Sequence, residues 1–166
     1  MKVRAYVLLV SVGILVMSAS TKKARLSEGN TPGNLAPRIE SLENEREFSF
    51  QNRSGRYTLL NFWAAYDAES RALNIQLWNE VNKLNSSEIE MISISYDKSP
   101  SVFSETVKAD GLNQENQFRD EQGAESELYK KYDLKRGFRN FLIDDKGVIV
   151  AVNVSPKNLP EELRKN

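Results

Sequence analysis

Two polar residues, Asp67 and Ser70, stand three positions apart at the start of a predicted helix, directly after an aromatic-rich segment. Asp is a favoured N-cap residue, because its carboxylate accepts the free backbone N–H groups of the first helical turn. Asp67 and Glu69 make no convincing acid–base pair, since carboxylates at a helix start usually face solvent and neither has a visible partner. We therefore interpret Asp67 as a helix cap and not as a catalytic acid.

The composition excludes several kinds of chemistry. The chain of 166 residues contains no Cys and no His, and its formal net charge is zero. Without His it lacks the commonest general base and metal ligand, and without Cys it has no thiol for disulfide exchange. Its 40% hydrophobic and 28% charged residues are typical of a globular domain. We see no phosphate loop, metal cluster or repeat, and we expect no cofactor, no metal and no nucleic-acid partner.

The elements that flank the Asp67 turn follow from local patterns. Tyr57 to Trp63 is a short, aromatic-rich apolar run with Gly55 just before it, which favours a buried strand. After Asp67, apolar residues recur at helical spacing and form one face. These residues are Leu73, Leu77, Val81 and Leu84.

Further elements are predicted along the chain. Met91 to Tyr96 suits a strand that Asp97 closes, and Ser99-Pro100 begins a helix that Gly111 ends. The other predicted elements are strands over 39–42 and 47–50, a short strand near 117–118, a helix over 124–132, a hairpin of 140–144 with 148–153, and a terminal helix within 156–165.

The N-terminal segment has the plan of a secretory signal peptide, residues 1–20. Lys2 and Arg4 give a positive start, residues 5–17 are almost wholly apolar, and residues 18–20 are small. The apolar run is short for a membrane span, which needs about 20 residues. A core helix or an uncleaved anchor are the alternative interpretations.

The remaining chain is predicted to form a linker and one domain. Residues 21–38 are polar and interrupted by Gly and Pro, as in a linker. Residues 39–166 are long enough for one domain with its own core. We expect an exported protein, periplasmic or associated with the cell envelope, whose only membrane association would be through an uncleaved N-terminal segment.

The segment Asn61-Phe62-Trp63-Ala64-Ala65-Tyr66-Asp67-Ala68-Glu69-Ser70-Arg71 resembles the active site of the thioredoxin superfamily. It is most similar to extracytoplasmic thiol-disulfide oxidoreductases of the cytochrome-maturation type, which are alkyl hydroperoxide reductase/thiol-specific antioxidant-like. Their pattern reads Asn-Phe-Trp-Ala-x-Trp-Cys-x-x-Cys-Arg, so Asp67 and Ser70 stand at the two Cys positions. The resemblance implies an α/β fold, a thioredoxin-like three-layer sandwich with a central mixed β-sheet flanked by helices.

A second segment also resembles this family. Tyr132-Asp133-Leu134 and Phe141-Leu142-Ile143-Asp144 match the family pattern Tyr-x-Val…Pro-Thr-x-Phe-Leu-Ile-Asp. In this register Phe138 replaces the family's cis-proline, which faces the two cysteines. A cis bond before a residue other than proline costs about 3 kcal/mol, so we expect the Gly137–Phe138 bond to be trans.

These replacements predict a pseudoenzyme. We expect a redox-inactive, non-enzymatic thioredoxin-fold protein of the cell envelope that binds a protein or peptide and has no catalytic residues. Two loops should meet at one end of the sheet and form the binding site at the former active-site positions. The predicted binding residues are Trp63, Tyr66, Asp67, Ser70, Phe138 and Arg139.

Three alternatives are left open. The chain could bind a small molecule, for which the sequence names no ligand. The chain could be a thioredoxin-family oxidoreductase or peroxidase relative that acts with the thiols of a partner. The aromatic residues could also fill the vacated active site as ordinary core, since buried aromatic side chains are common in protein interiors.

Overall fold

The computed structural model describes residues 26–40, 42, 48, 50–51 and 55–164. Its centre is a mixed sheet of five strands in the order β3-β2-β1-β4-β5. The strands are β1 (Tyr57–Trp63), β2 (Ile89–Ser95), β3 (Gln117–Arg119), β4 (Asn140–Ile143) and β5 (Ile149–Val152). β1 is parallel to β2 and antiparallel to β4, β3 is parallel to β2, and β5 is antiparallel to β4.

Helices cover both faces of this sheet. Within the described residues the α-helices are α1 (Ala68–Val81), α2 (Pro100–Ala109), α3 (Glu127–Lys131) and α4 (Leu159–Arg164). α1 and α4 pack on the face that carries Leu59 and Met91, whereas α3 packs on the face that carries Leu60 and Phe62. The predicted mixed sheet flanked by helices is therefore confirmed.

Alternation along β1 decides which side chains reach which face. Leu60 and Phe62 belong to the core cluster on the α3 side. Asn61 lies on the opposite face, where its amide donates a hydrogen bond to Asn74 of α1 at 2.9 Å, and Trp63 follows it there. Because successive side chains of a strand point to opposite faces, the residues just before the Asp67 turn are divided between two cores.

The predicted helix over 124–132 is interrupted in the structure. Residues Gly123–Glu125 form a 3-10 turn, and α3 begins only at Glu127. Ser126 separates the two, because its backbone is extended (φ −64°, ψ 145°) and its hydroxyl caps α3 by accepting the N–H of Tyr129 at 2.9 Å. A Ser that caps the next helix cannot also continue the previous one.

The predicted signal peptide, residues 1–20, lies outside the described residues. Part of the predicted linker lies along the sheet: Gly33 donates a backbone hydrogen bond to Ile149 at 2.8 Å, and Ala36 donates one to Gly147 at 2.9 Å. The predicted strands over 39–42 and 47–50 fall partly on undescribed residues, although Ile39 and Phe48 form a β-bridge. In the described part of the chain, no helix has the length and apolar character to cross a membrane.

Candidate functional site

The turn between β1 and α1 uses both former cysteine positions for its own hydrogen bonds. Asp67 is the N-cap of α1, and its carboxylate accepts the backbone N–H of Ser70 at 2.8 Å. The Ser70 hydroxyl is 3.3 Å from the backbone nitrogen of Ala64 and 3.2 Å from the carbonyl oxygen of Asp67. Ser70 is only 6% exposed. The interpretation of Asp67 as a helix cap is confirmed, and both side chains hold the turn closed.

A buried carboxylate, Asp97, supports the same turn from the end of β2. Its two oxygens lie 3.0 and 2.9 Å from the backbone nitrogen of Ala65, and Oδ2 also accepts the hydroxyl of Ser95 at 2.7 Å. Asp97 is 2% exposed. The sequence reasoning did not place Asp97 in the site. Its position in the sequence could have indicated this role, because an acidic residue directly after a buried strand lies at the carboxyl edge of the sheet, where the functional sites of α/β proteins form.

Four aromatic side chains form a row beside the turn. The Tyr66 ring lies 6.3 Å from that of Phe138, and Phe138 stacks on Tyr96 with centroids 5.9 Å apart and planes at 19°. Tyr96 then meets the edge of Tyr129 at 5.2 Å. Tyr66 is 72% exposed, whereas Tyr96 is buried and the other two are half-buried. We call these residues the aromatic row; Tyr96 and Tyr129 were not predicted as site residues.

Trp63 is not brought to this surface. Its side chain has no exposed area and packs with Val107 and Leu112, with its ring 6.3 Å from that of Phe103. The sequence hypothesis placed Trp63 near Tyr66, but strand alternation directs Trp63 to the α1 face, away from the core that holds Phe62 and Tyr96. Trp63 is therefore a core residue of the fold.

The loop before β4 completes the site. The Gly137–Phe138 peptide bond is trans, as predicted. Gly137 has a φ of 119°, a backbone conformation that favours glycine. Arg139 is half-buried. Its carbonyl accepts the N–H of Phe62 at 3.0 Å, and its guanidinium carbon lies 5.3 Å from the ring centroid of Phe141. Arg139 thus ties the loop to β1 and packs along the sheet.

Two phenols of the site, those of Tyr66 and Tyr96, have raised pKa values. Burial raises the pKa of Tyr66, and the neighbouring Tyr129, Asp97 and Asp67 raise this pKa further, in that order. Burial also raises the pKa of Tyr96 far above its usual range. Both phenols therefore stay protonated at neutral pH. In the described residues, no group of three or more His, Cys, Asp or Glu side chains is placed to hold a metal ion.

A groove opens on one side of the aromatic row. Its volume is about 470 Å³, and Tyr66, Tyr96 and Tyr129 line it together with Asp97 and Val102. The surfaces that face it are mainly apolar. Within this region Tyr66 and Val102 are the large hydrophobic side chains exposed to solvent, at 72% and 48%. The groove can accept an apolar or flat group beside the phenol rings that line it.

Solved structures show what the chain is similar to, whereas no protein-family model and no curated protein matches it. A thioredoxin-like protein from Parabacteroides distasonis is 59% identical, with a TM-score of 0.77 over 84% of this chain and 99% of that chain. A thiol-disulfide oxidoreductase from Bacteroides fragilis is 29% identical, with a TM-score of 0.62 over 80% of this chain and 98% of that one.

A third structure supports the fold alone. It is named as a candidate thiol:disulfide interchange protein DsbE from Chlorobium tepidum, and it is 16% identical with a TM-score of 0.65 over 84% of this chain and 97% of that one. The resemblance first seen around Asp67 and Ser70 therefore extends through the whole sheet. Given the 59% identity across nearly all of the Parabacteroides protein, this chain belongs to the thioredoxin superfamily and resembles its thiol-disulfide oxidoreductases of the cytochrome-maturation type.

Proposed function

We propose that this chain is a redox-inactive thioredoxin-fold protein of the cell envelope that binds a polypeptide at the former active site. The proposal depends on the turn between β1 and α1. Its former cysteine positions hold Asp67 and Ser70, which are bonded within the turn, and its tip exposes Tyr66 at 72%.

The loss of redox chemistry follows from the residue types. Disulfide exchange needs a thiolate that attacks and a second thiol that resolves the mixed disulfide. The chain contains no Cys at any position. The carboxylate of Asp67 is engaged with the N–H of Ser70, and the buried Ser70 hydroxyl cannot resolve a mixed disulfide. An envelope location is proposed from the signal-peptide pattern of residues 1–20.

The binding role is supported by the way Tyr66 is held. Asp97 fixes the backbone one residue before Tyr66, and Phe138 supports its ring from the loop before β4. An aromatic side chain that is exposed and already ordered loses little conformational entropy on binding. Aromatic residues of this kind commonly supply a large share of binding energy at interfaces.

Two assays test this function. Purified protein should not accelerate the reduction of insulin by dithiothreitol above the buffer rate, and a reproducible acceleration would refute the redox-inactive reading. The double variant Asp67→Cys/Ser70→Cys is the positive control for the scaffold, because it restores two thiols to the start of α1.

Cross-linked capture from the native envelope fraction tests binding. Wild-type protein should capture a polypeptide that Tyr66→Ala captures much less. Leu26→Ala is the matched control, because Leu26 is also an exposed large hydrophobic residue, at 51%, but lies outside the turn. Equal capture by wild type and Tyr66→Ala would show that the former active site is not the binding surface.

A further inference from the structure

We propose that the groove beside the aromatic row receives the basic side chain, Arg or Lys, of the bound polypeptide. This inference rests on the proposed function and adds the chemistry that selects the partner. The residues that carry it are Tyr66, Tyr129, Asp97 and Lys98, of which only Tyr66 belonged to the predicted site.

The shape of the groove suits a cationic group with an apolar stem. Its volume of about 470 Å³ lies in the range of about 300–1,000 Å³ that small-ligand pockets occupy. Tyr66 and Tyr129 both line it, and Val102 adds an exposed aliphatic surface. Guanidinium and ammonium groups are attracted to the faces of aromatic rings, and the methylene groups of Arg and Lys can cover the apolar lining.

The negative charge of Asp97 gives the groove a preference for a cationic group. Asp97 lines the groove, is 2% exposed, and accepts hydrogen bonds from Ala65 and Ser95. These donors are neutral, and no basic side chain in the described part of the chain forms an ion pair with it. Arg71 acts on Asp97 only through its electrostatic field, since its guanidinium is bound to Asp110 at 2.6 and 2.7 Å.

A buried carboxylate is normally paired with a cation or a metal ion. Asp97 has neither among the residues that the structure describes, and it lies in the wall of the groove. Burial and Tyr129 are the largest causes that raise the pKa of Tyr66, and the negative charges of Asp97 and Asp67 raise it further. The cationic group of an Arg or Lys side chain that enters the groove would compensate the charge of Asp97, and its methylene groups would cover the apolar lining.

Lys98 is the basic residue that lines the groove itself. Lys98 is exposed, so its ammonium group can stay in water while another cation occupies the groove. Lys98 opposes the entry of a second cation by electrostatic repulsion. This makes it a useful test position, because its removal should strengthen the binding that we propose.

The test uses three fluorescein-labelled short peptides of the same Ala/Ser background, whose central residue is Arg, citrulline or Glu. Citrulline has nearly the shape of Arg but no charge. Fluorescence anisotropy with the wild-type protein should give an affinity for the Arg peptide about tenfold higher than for the citrulline peptide. The Glu peptide should bind most weakly, and added salt should weaken only the Arg peptide appreciably.

Two variants isolate the charges. Asp97→Asn keeps an acceptor for the N–H of Ala65 but removes the charge, so it should lower affinity for the Arg peptide about tenfold and leave the citrulline peptide nearly unchanged. Lys98→Ser should raise affinity for the Arg peptide severalfold. Lys98 is an exposed residue outside helices and strands, so this variant keeps the inference testable even if Asp97→Asn unfolds.

The outcomes separate this inference from the proposed function. Equal affinities for the Arg and citrulline peptides would overturn the inference and leave polypeptide binding intact. Absence of peptide binding, combined with envelope capture that depends on Tyr66, would also overturn the proposed recognition of a basic side chain by the groove. The proposed binding of a polypeptide at Tyr66 would then still be supported. Loss of both peptide binding and Tyr66-dependent capture would overturn both.

Discussion

Truncation of the first two members of the aromatic row, Tyr66 and Phe138, should have very different effects on stability. Tyr66 is 72% exposed, so Tyr66→Ala removes little buried area and should change the free energy of unfolding by less than about 0.5 kcal/mol. Phe138 is half-buried and packs between Tyr66 and Tyr96. The two substitutions therefore distinguish a surface residue from its support.

The expected cost of Phe138→Ala follows from its contacts. Complete burial of a Phe side chain stabilises by about 1.5–3 kcal/mol, and the incomplete burial of Phe138 should retain about 1–2 kcal/mol of this. The stacked contact with Tyr96, at 5.9 Å and 19°, adds about 0.5–1.5 kcal/mol. We expect a total loss of about 2 kcal/mol, below the cost of about 3–5 kcal/mol for truncation of a fully buried Phe.

Urea unfolding followed by Trp fluorescence measures both values, because Trp63 and Trp78 lie in or against the core. Phe62→Ala is the control for a fully buried aromatic residue of the same sheet. A loss of unfolding free energy above about 2 kcal/mol for Tyr66→Ala would mean that Tyr66 is a core residue and that the proposed binding site is wrong. No measurable loss for Phe138→Ala would refute its role as the support of Tyr66.

Three further predictions concern stability. Asp67→Ala should cost about 1 kcal/mol of unfolding free energy in urea titrations, because it removes the N-cap of α1, whereas Asp67→Ser should retain most of it. A double-mutant cycle with Arg71→Ala and Asp110→Ala should give a coupling energy of about 1 kcal/mol. The ion pair is bidentate, which strengthens it, but the Arg71 side chain is 37% exposed, which weakens it. A coupling energy that is unchanged in high salt would contradict its electrostatic origin. Burial raises the pKa of Tyr96, so the folded state holds this proton more tightly than the unfolded chain does, and stability should be intact below about pH 10 and fall as pH rises above it. Tyr96→Phe should reduce that alkaline loss in unfolding measurements, and an unchanged loss would assign it to other groups.

Much of the local structure could be predicted from the residue types. β1 spans Tyr57–Trp63 as predicted, and Asp67 caps α1 as predicted. Both depend on residues within one strand or one helical turn, so nearby side chains are sufficient to encode them. The absence of a thiol at positions 67 and 70 is likewise a property of composition. The family resemblance then supplied the topology, which local patterns alone do not specify.

The arrangement of the site depended on tertiary structure. Asp97 reaches the backbone of Ala65 across 32 positions of sequence, and the contact between Tyr66 and Phe138 joins two separate loops. Such contacts exist only after the strands have paired. The pleat of β1 then buries Trp63 under α1 and α2, while the turn beyond it exposes Tyr66.

The sequence by itself therefore determined the secondary structure around the turn and the absence of any thiol in the chain. The tertiary structure alone decided that Trp63 is core, that Asp97 lies beneath the turn, and that Tyr96 and Tyr129 extend the aromatic row to a groove. The physical reason is the range of the interactions: caps and periodicity act over a few residues, whereas this groove forms where β2, the 123–129 segment and the turn meet.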